Sequence, residues 1–279
     1  MRRAWRAAAA VAAVGVALVG WGAAGPSGAS RADGADVAAL APAKVAVALR
    51  VPLPERAPPH PAAVVLPPPA PPVPPEQATF LAADAAGSSV ALYDGPGAAA
   101  PRGSLSNPQP YGVPLAFRVT SVRGDWLQVA LPARPNGSTA WVRRAEVTLR
   151  TVPNRVVASV SGRSVTVYAG HSDVVLFRAP IAVGRSGTPT PTGDLFYVDA
   201  VRATGNPGGV YGPFQLRVSA FSEVLYSFGG GPGQVAFHGT NSPGLVGSAV
   251  SNGCMRMYNG DITTLVGLAP VGTPVRIVP

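Results

Sequence analysis

Residues 238–257 read HGTNSPGLVGSAVSNGCMRM, and the rest of the chain is interpreted around this stretch. It contains the single cysteine of the protein, Cys254, and one of its three histidines, His238, 16 positions upstream. A thiol becomes a good nucleophile only when a neighbouring group removes its proton, and imidazole commonly does so. The stretch therefore predicts a catalytic thiol, Cys254, with His238 as its general base and acid.

Three neighbouring residues suit acyl transfer. Gly253 allows a backbone turn before Cys254 in which amide N–H groups would point at one spot, as an oxyanion site requires. Gly239 leaves its carbonyl open to the His238 ring and would fix the ring tautomer. Arg256 would lie on the same side as Cys254 in an extended segment, where it would bind a substrate carboxylate or favour the thiolate.

The same residues also have an ordinary structural interpretation. A lone cysteine is most often a small buried apolar residue, and a histidine at the end of a strand is most often structural. The residue types alone leave both interpretations open.

Two segments precede the region with β patterns. Residues 1–24 combine Arg2, Arg3 and Arg6 with an apolar run, as in an export signal peptide, and an uncleaved membrane anchor is the alternative. Residues 25–78 are rich in proline and alanine and are typical of an extended disordered linker. Both interpretations place the rest of the chain outside the cytoplasm, in the cell wall or periplasm.

Residues 79–150 contain short β-type runs separated by turn signals, which predicts a small all-β barrel. The segment GDWLQVALPARPNGSTAWVRRAEV resembles a bacterial SH3-like domain. Trp126 and Trp141 would either form a ligand groove or belong to the barrel core.

Residues 151–279 are again rich in β-type runs. The predicted strands include one that ends in His238 and one that closes the chain near residue 278. A short helix is predicted over residues 262–268, with Asn259 as its N-cap. The fold class expected from the whole pattern is mostly β with one short helix.

Composition narrows the function further. The chain carries a net charge of +9 although 13% of its residues are charged, which favours an anionic partner. No basic run or RNA-binding signature appears in the folded part, so the expectation is no nucleic-acid partner. A lone cysteine forms neither an internal disulfide nor a cysteine-rich zinc site, and the sequence predicts no metal and no cofactor.

The central stretch resembles the catalytic signature of L,D-transpeptidases of the YkuD type. The matching residues are His238-Gly239-Thr240, Gly247 and Ser251-Asn252-Gly253-Cys254-Met255-Arg256, with Thr190 to Gly193 upstream. The resemblance covers residues 152–279 and departs at Asn252, where many members have histidine. Because asparagine is no base, His238 would carry that role alone.

The resemblance implies a β-sandwich-like catalytic domain that acts on peptidoglycan stem peptides. Cys254 would attack a stem tetrapeptide, release the terminal D-Ala and form a thioester, which an amine of a neighbouring stem resolves into a 3→3 cross-link. Substrate contacts are expected from Arg256, Ser251, Asn252 and Thr240, and carbapenems would acylate Cys254.

Two other functions remain open at this point. Water in place of the amine would make the protein an L,D-carboxypeptidase. A non-catalytic protein would bind the wall through its SH3-like part and its basic charge. Papain-like and sortase domains fit less well, since the first places cysteine before histidine and the second needs a longer spacer.

Overall fold

Two β-rich parts follow one another in the computed structural model, which describes residues 79–279. The predicted export segment and linker lie outside the described residues. No helix among residues 79–279 is both long and apolar enough to cross a membrane.

The first part, here called the N-terminal module, covers residues 80–152. Its strands are β1 Phe80–Ala85, β2 Ser89–Leu92, β3 Gly103–Ser106, β4 Ala116–Arg123, β5 Trp126–Ala130, β6 Thr139–Arg143 and β7 Val147–Val152. Five of them form an antiparallel sheet in the order β6-β5-β4-β1-β7, and β2 pairs with β3 in a separate hairpin. A two-way backbone bridge between Tyr93 and Trp141 links hairpin and sheet around a core that includes Phe117 and Leu127.

The two tryptophans of the module do not line an open groove together. Trp141 is buried, and the guanidinium of Arg123 lies 5.4 Å from its ring centroid. Trp126 is half-buried under Arg143, whose guanidinium lies 4.6 Å from the ring centroid. Because both rings are covered, the structure favours a packing role for them.

The second part, here called the C-terminal part, covers residues 154–279. Its strands are β8 Asn154–Ser159, β9 Ser164–Ala169, β10 Val175–Pro180, β11 Val183–Gly184, β12 Gly193–Ala203, β13 Phe214–Phe221, β14 Gln234–His238, β15 Ala249–Ser251, β16 Met255–Arg256 and β17 Pro274–Val278, and its helix is α1 Asn259–Leu268. Eight strands form one mixed sheet in the order β10-β9-β8-β17-β12-β13-β14-β16, and β11 pairs in parallel with β15. The described chain is thus mostly β with one α-helix, as the sequence predicts.

The start of α1 differs from the prediction. Tyr258 occupies the N-cap position, and Asn259 is the first helical residue. The Asn259 side chain instead accepts a hydrogen bond from the backbone N–H of Thr240 (2.8 Å) and donates one to the carbonyl of Pro207 (3.0 Å). The N-cap prediction for Asn259 is therefore wrong, because this amide joins two loops to the helix rather than satisfying the helix end.

Contacts between the two parts are specific. The buried Tyr197 hydroxyl on β12 donates to the carbonyl of Ala116 on β4 (3.0 Å). The fully buried carboxylate of Asp199 is paired with Arg217 (2.7 Å) and accepts a hydrogen bond from Gln234 (2.9 Å), both of its own part. It also accepts one from Gln109 of the module (3.0 Å), which is the contact between the two parts. A buried carboxylate needs such donors to offset its lost hydration, so these contacts bind the module to the sheet.

Candidate active site

Parallel pairing of β14 with β16 brings His238 and Cys254 together. The register aligns Phe237 with Met255 and His238 with Arg256. Phe237 and Met255 are fully buried on one face of the sheet. Since side chains alternate along a strand, His238, Arg256 and Cys254 share the opposite face.

The His238 ring is held in one tautomer. Its Nδ1 lies 2.6 Å from the carbonyl oxygen of Gly239. A carbonyl oxygen only accepts hydrogen bonds, so Nδ1 carries the proton and the Nε2 lone pair is left to act as a base. The ring is 4% exposed, and the ring of Tyr211 meets it edge-on at 5.0 Å between centroids.

Gly239 has little room for any other residue. A methyl group at this position would overlap the Asn259 carboxamide oxygen and would lie 2.9 Å from the Cα of Gly212. The close approach of these backbones therefore fixes the carbonyl that orients His238.

Burial keeps both groups neutral. The pKa of His238 is lowered from 6.5 to about 4, chiefly by loss of hydration. The Gly239 hydrogen bond opposes this shift, and the positive charge of Arg256 adds to it. Burial also raises the pKa of the Cys254 thiol, although a backbone hydrogen bond with Ala236 and the charge of Arg256 both act to lower it. The resting site is thus a thiol beside a neutral imidazole, and the expected thiolate-favouring effect of Arg256 is outweighed by burial.

The turn before Cys254 is braced by side-chain hydroxyls. Ser251 Oγ accepts the N–H of Gly253 (3.1 Å) and donates to the carbonyl of Cys254 (2.6 Å). Thr190 Oγ1, 3% exposed, accepts the N–H of Gly184 (2.9 Å) and donates to the carbonyl of Gly253 (2.9 Å). Gly253 has φ +111°, which side chains rarely tolerate, so the turn depends on glycine.

The Gly253 amide is expected from the sequence to help stabilise an oxyanion. In this structure it donates to Ser251 Oγ, which braces the turn. Its role toward an oxyanion stays a prediction.

The shared face opens into a pocket of about 300 Å³. Its lining combines reactive, polar and aromatic residues: His238, Cys254, Arg256, Ser251, Asn252, Asn241, Ser242, Val210, Tyr211 and Phe228. Cys254 as a residue is partly exposed and lines this pocket. None of the lining residues is acidic, which leaves the Arg256 charge to attract an anionic group of a substrate.

The four predicted substrate contacts differ in position. Arg256 and Asn252 line the pocket, and Ser251 does so while its hydroxyl is engaged in the turn. Thr240 is 4% exposed and lies outside the pocket lining, and its hydroxyl accepts the N–H of Ser242 (3.0 Å). Thr240 supports its loop in this structure, and a substrate contact by Thr240 stays a prediction.

Sequence reasoning missed the aromatic residues of the pocket. Tyr211 and Phe228 come from the loops before β13 and before β14, away from the His238–Cys254 stretch. Their sequence context could have indicated them, because an aromatic residue among glycines, as in Ser227-Phe228-Gly229-Gly230, does not belong to a strand or helix that would bury it.

Among residues 79–279, no group of three or more His, Cys, Asp or Glu residues is arranged to hold a metal ion.

Fold and pocket together define a β-rich domain with an imidazole at the end of β14 and a thiol immediately before the parallel strand β16. The family model of the L,D-transpeptidase catalytic domain, YkuD, matches residues 153–277. The YkuD protein of Bacillus licheniformis is 36% identical over 129 residues, which are 46% of this chain and 68% of that relative. YkuD of Bacillus subtilis is 35% identical over 127 residues, 46% of this chain and 67% of that relative. The chain belongs to the YkuD family of L,D-transpeptidases.

Among solved structures, an L,D-transpeptidase from Enterococcus faecium matches with 20% identity and a TM-score of 0.33. The match covers 45% of this chain and 49% of that one, so the chain spans about half the length of that structure.

Proposed function

We propose that this protein is a cysteine-dependent L,D-transpeptidase that forms 3→3 cross-links in peptidoglycan through a thioester acyl-enzyme. The observation that carries the proposal is the Nδ1 contact of His238 with the Gly239 carbonyl, because it leaves Nε2 as a base on the face that Cys254 shares. Membership of the YkuD family supports the same chemistry.

In the first half-reaction, Cys254 is the nucleophile and His238 first accepts and then returns a proton. As the Cys254 sulfur attacks the carbonyl of the acyl donor, the thiol proton passes to Nε2 of His238. The oxyanion forms near the Cys254 backbone amide and the positive charge of Arg256. When the C–N bond breaks, His238 returns the proton to the leaving D-Ala amine, and the thioester remains.

The second half-reaction reverses the roles. The side-chain amine of a neighbouring stem attacks the thioester, and His238 takes a proton from that amine. The C–S bond breaks, the new amide forms, and the proton returns to the sulfur. Burial suits this cycle, since a neutral pair is stable at rest and charge separates only as the substrate reacts.

Arg256 supplies the substrate preference in this proposal. Its charge faces a pocket without acidic lining residues, and stem peptides carry carboxylates. Asn252 at the pocket wall accepts a long hydrogen bond from Thr188 Oγ1 (3.4 Å) and would contact the donor peptide rather than move a proton.

The direct test is intact-protein mass spectrometry after incubation with a carbapenem. Wild-type protein should gain the mass of one inhibitor, and Cys254→Ala should gain none. His238→Ala should remain folded and acylate far more slowly. An equal mass gain on Cys254→Ala would exclude this residue as the nucleophile.

Product analysis separates cross-linking from hydrolysis. With tetrapeptide-rich muropeptides, a transpeptidase yields dimers joined 3→3, whereas an L,D-carboxypeptidase yields tripeptides alone. Tripeptides without dimers, together with carbapenem uptake, would replace the proposal by the hydrolytic alternative. If the protein gives no such products and takes up no carbapenem, the result would favour a wall-binding protein.

The remaining regions complete the proposal. In this proposal residues 79–150 form an SH3-like module. A five-stranded sheet linked to a hairpin supports that interpretation. The export or anchor role of residues 1–24 and the linker role of residues 25–78 stay predictions from the sequence. Comparison of murein binding by the full chain and by a chain lacking 79–150 tests whether the module binds wall polymer.

A further inference from the structure

The loop between β13 and β14, residues 222–233, forms one wall of the candidate active site. It reads SEVLYSFGGGPG, and its Phe228 is 46% exposed and lines the pocket with His238 and Cys254. The N–H of Ser222 donates to the carbonyl of Gly233 (2.8 Å), which joins the first and last residues of the loop, here called its neck. The loop then leads directly into β14, the strand that ends in His238.

The loop's own sequence restrains its tip weakly. Phe228 is followed by three glycines, and Gly229 and Gly230 adopt φ values of +56° and +82°. A paired hydrogen bond between Phe228 and Gly231 forms the tip turn. Glycines have many accessible backbone conformations, so the position of Phe228 depends on anchors outside the loop.

Arg134 of the N-terminal module fills the neck of this loop. Its Nη1 donates to the carbonyl of Pro232 (2.8 Å), and its Nη2 donates to the carbonyls of Ser222 (2.8 Å) and Leu225 (3.2 Å). The guanidinium lies 4.8 Å from the ring centroids of both Phe221 and Tyr226. One side chain thus binds both ends of the loop.

Two more residues of the module complete the attachment. The Asn136 side chain pairs with the backbone of Phe221, donating to its carbonyl (2.7 Å) and accepting its N–H (2.8 Å). The Tyr111 hydroxyl donates to the carbonyl of Gly230 at the tip (2.8 Å). Within residues 79–279 no carboxylate forms an ion pair with Arg134, so its charge is directed at loop carbonyls.

We propose that Arg134 is a positioning residue for the reaction: it holds the 222–233 loop so that Phe228 forms the wall of the catalytic pocket. The inference rests on the proposed function for its kinetic consequence. Arg134 lies outside the pocket lining and acts through Phe228, and the N-terminal module thereby controls how firmly an acyl donor is held over Cys254.

A double-mutant cycle tests this inference in the full chain. The measured quantity is the second-order rate constant for carbapenem acylation of Cys254, in wild type, Arg134→Gln, Phe228→Ala and the double variant. Arg134→Gln should lower it about tenfold, the loss that corresponds to one hydrogen bond made to a charged group. In the Phe228→Ala background the same substitution should have less than about a twofold effect, because coupled residues are not additive.

The concentration dependence of the acylation rate distinguishes a positioning role of Arg134 from a general loss of folded structure. Arg134→Gln should raise the carbapenem concentration that gives half the maximal rate and leave the limiting rate nearly unchanged. Arg134→Lys, which keeps the charge without the planar fork, should recover part of the loss. Arg143→Gln is the matched control, since Arg143 also covers aromatic rings of the module but does not contact the loop. Equal effects of Arg134→Gln in both backgrounds would overturn the inference.

Hydrogen–deuterium exchange provides a readout that does not depend on activity. Arg134→Gln should accelerate exchange in peptides covering 222–233 while β13 and β14 stay protected. Tyr111→Phe removes one hydroxyl without disturbing packing and should accelerate exchange at the tip alone. Unchanged loop exchange in Arg134→Gln overturns the inference. Wild-type protein that takes up no carbapenem refutes the proposed function instead, and the exchange data still decide whether Arg134 holds the loop.

Discussion

The buried imidazole of His238 should make the stability of the protein depend on pH in a defined way. In the unfolded chain this histidine has a pKa near 6.5, whereas burial lowers its pKa in the folded protein to about 4. Between these values the unfolded state binds a proton that the folded state does not, so stability falls as pH decreases through this window. The loss starts near pH 6.5 and is complete near pH 4.

The size of the stability loss follows from the difference between the pKa values of His238 in the folded and unfolded states. One proton taken up over one pH unit is worth about 1.4 kcal/mol, so lowering the pH from about 7.5 to about 4.5 should remove roughly 2.5 kcal/mol through His238. The assay is urea unfolding at both pH values for wild type and His238→Gln. The wild type should lose about 2.5 kcal/mol more than the variant, because titrating carboxylates contribute equally to both.

His171→Gln serves as the matched control for this experiment. It makes the same substitution at a solvent-exposed histidine that lies outside the pocket. An equal loss of stability in wild type and His238→Gln would refute the reasoning, since it would mean that His238 takes up its proton as readily in the folded as in the unfolded chain.

Three further outcomes follow from the site. Acylation by a carbapenem should be independent of pH between about 5 and 7 and fall steeply below pH 4, when His238 is protonated; a rate that falls tenfold between pH 7 and pH 6 would contradict a neutral resting imidazole. Thr190→Val should destabilise the protein by about 1–3 kcal/mol in thermal unfolding, since it leaves a buried N–H and a buried carbonyl unpaired. Arg256→Gln should raise the pKa values of both His238 and Cys254, measured by NMR titration and by the pH dependence of thiol alkylation; unchanged values would show that the charge does not act on the site.

Local patterns were sufficient to predict much of the fold. Alternation from Gln234 to His238 predicted a strand of the observed bounds, and the run after Asn259 predicted the helix. The N-cap assignment failed because a short polar side chain can serve a distant backbone group as readily as its own helix. Nothing near Asn259 indicates that the N–H of Thr240 is its partner.

The reactive pair was predictable for a different reason. His238 and Cys254 belong to one short segment, so the glycines and arginine around them were visible together. The pocket wall was not predictable, because Arg134 is 94 positions from Phe228 and contacts the ends of its loop only when the module packs beside β13. The partner of the Gly253 amide was not predictable, because its hydrogen bond to the Ser251 hydroxyl depends on the rotamer of one side chain.

A single residue, Pro153, separates β7 of the N-terminal module from β8 of the C-terminal part. So short a tether, together with the Asp199 contacts, leaves the two parts little freedom to separate. Cutting the chain at this proline would discard Tyr111, Arg134 and Asn136 and release the loop they hold. By the proposal above, such a fragment would lack the anchors of the pocket wall that carries Phe228, so inhibitor screens should use both parts together.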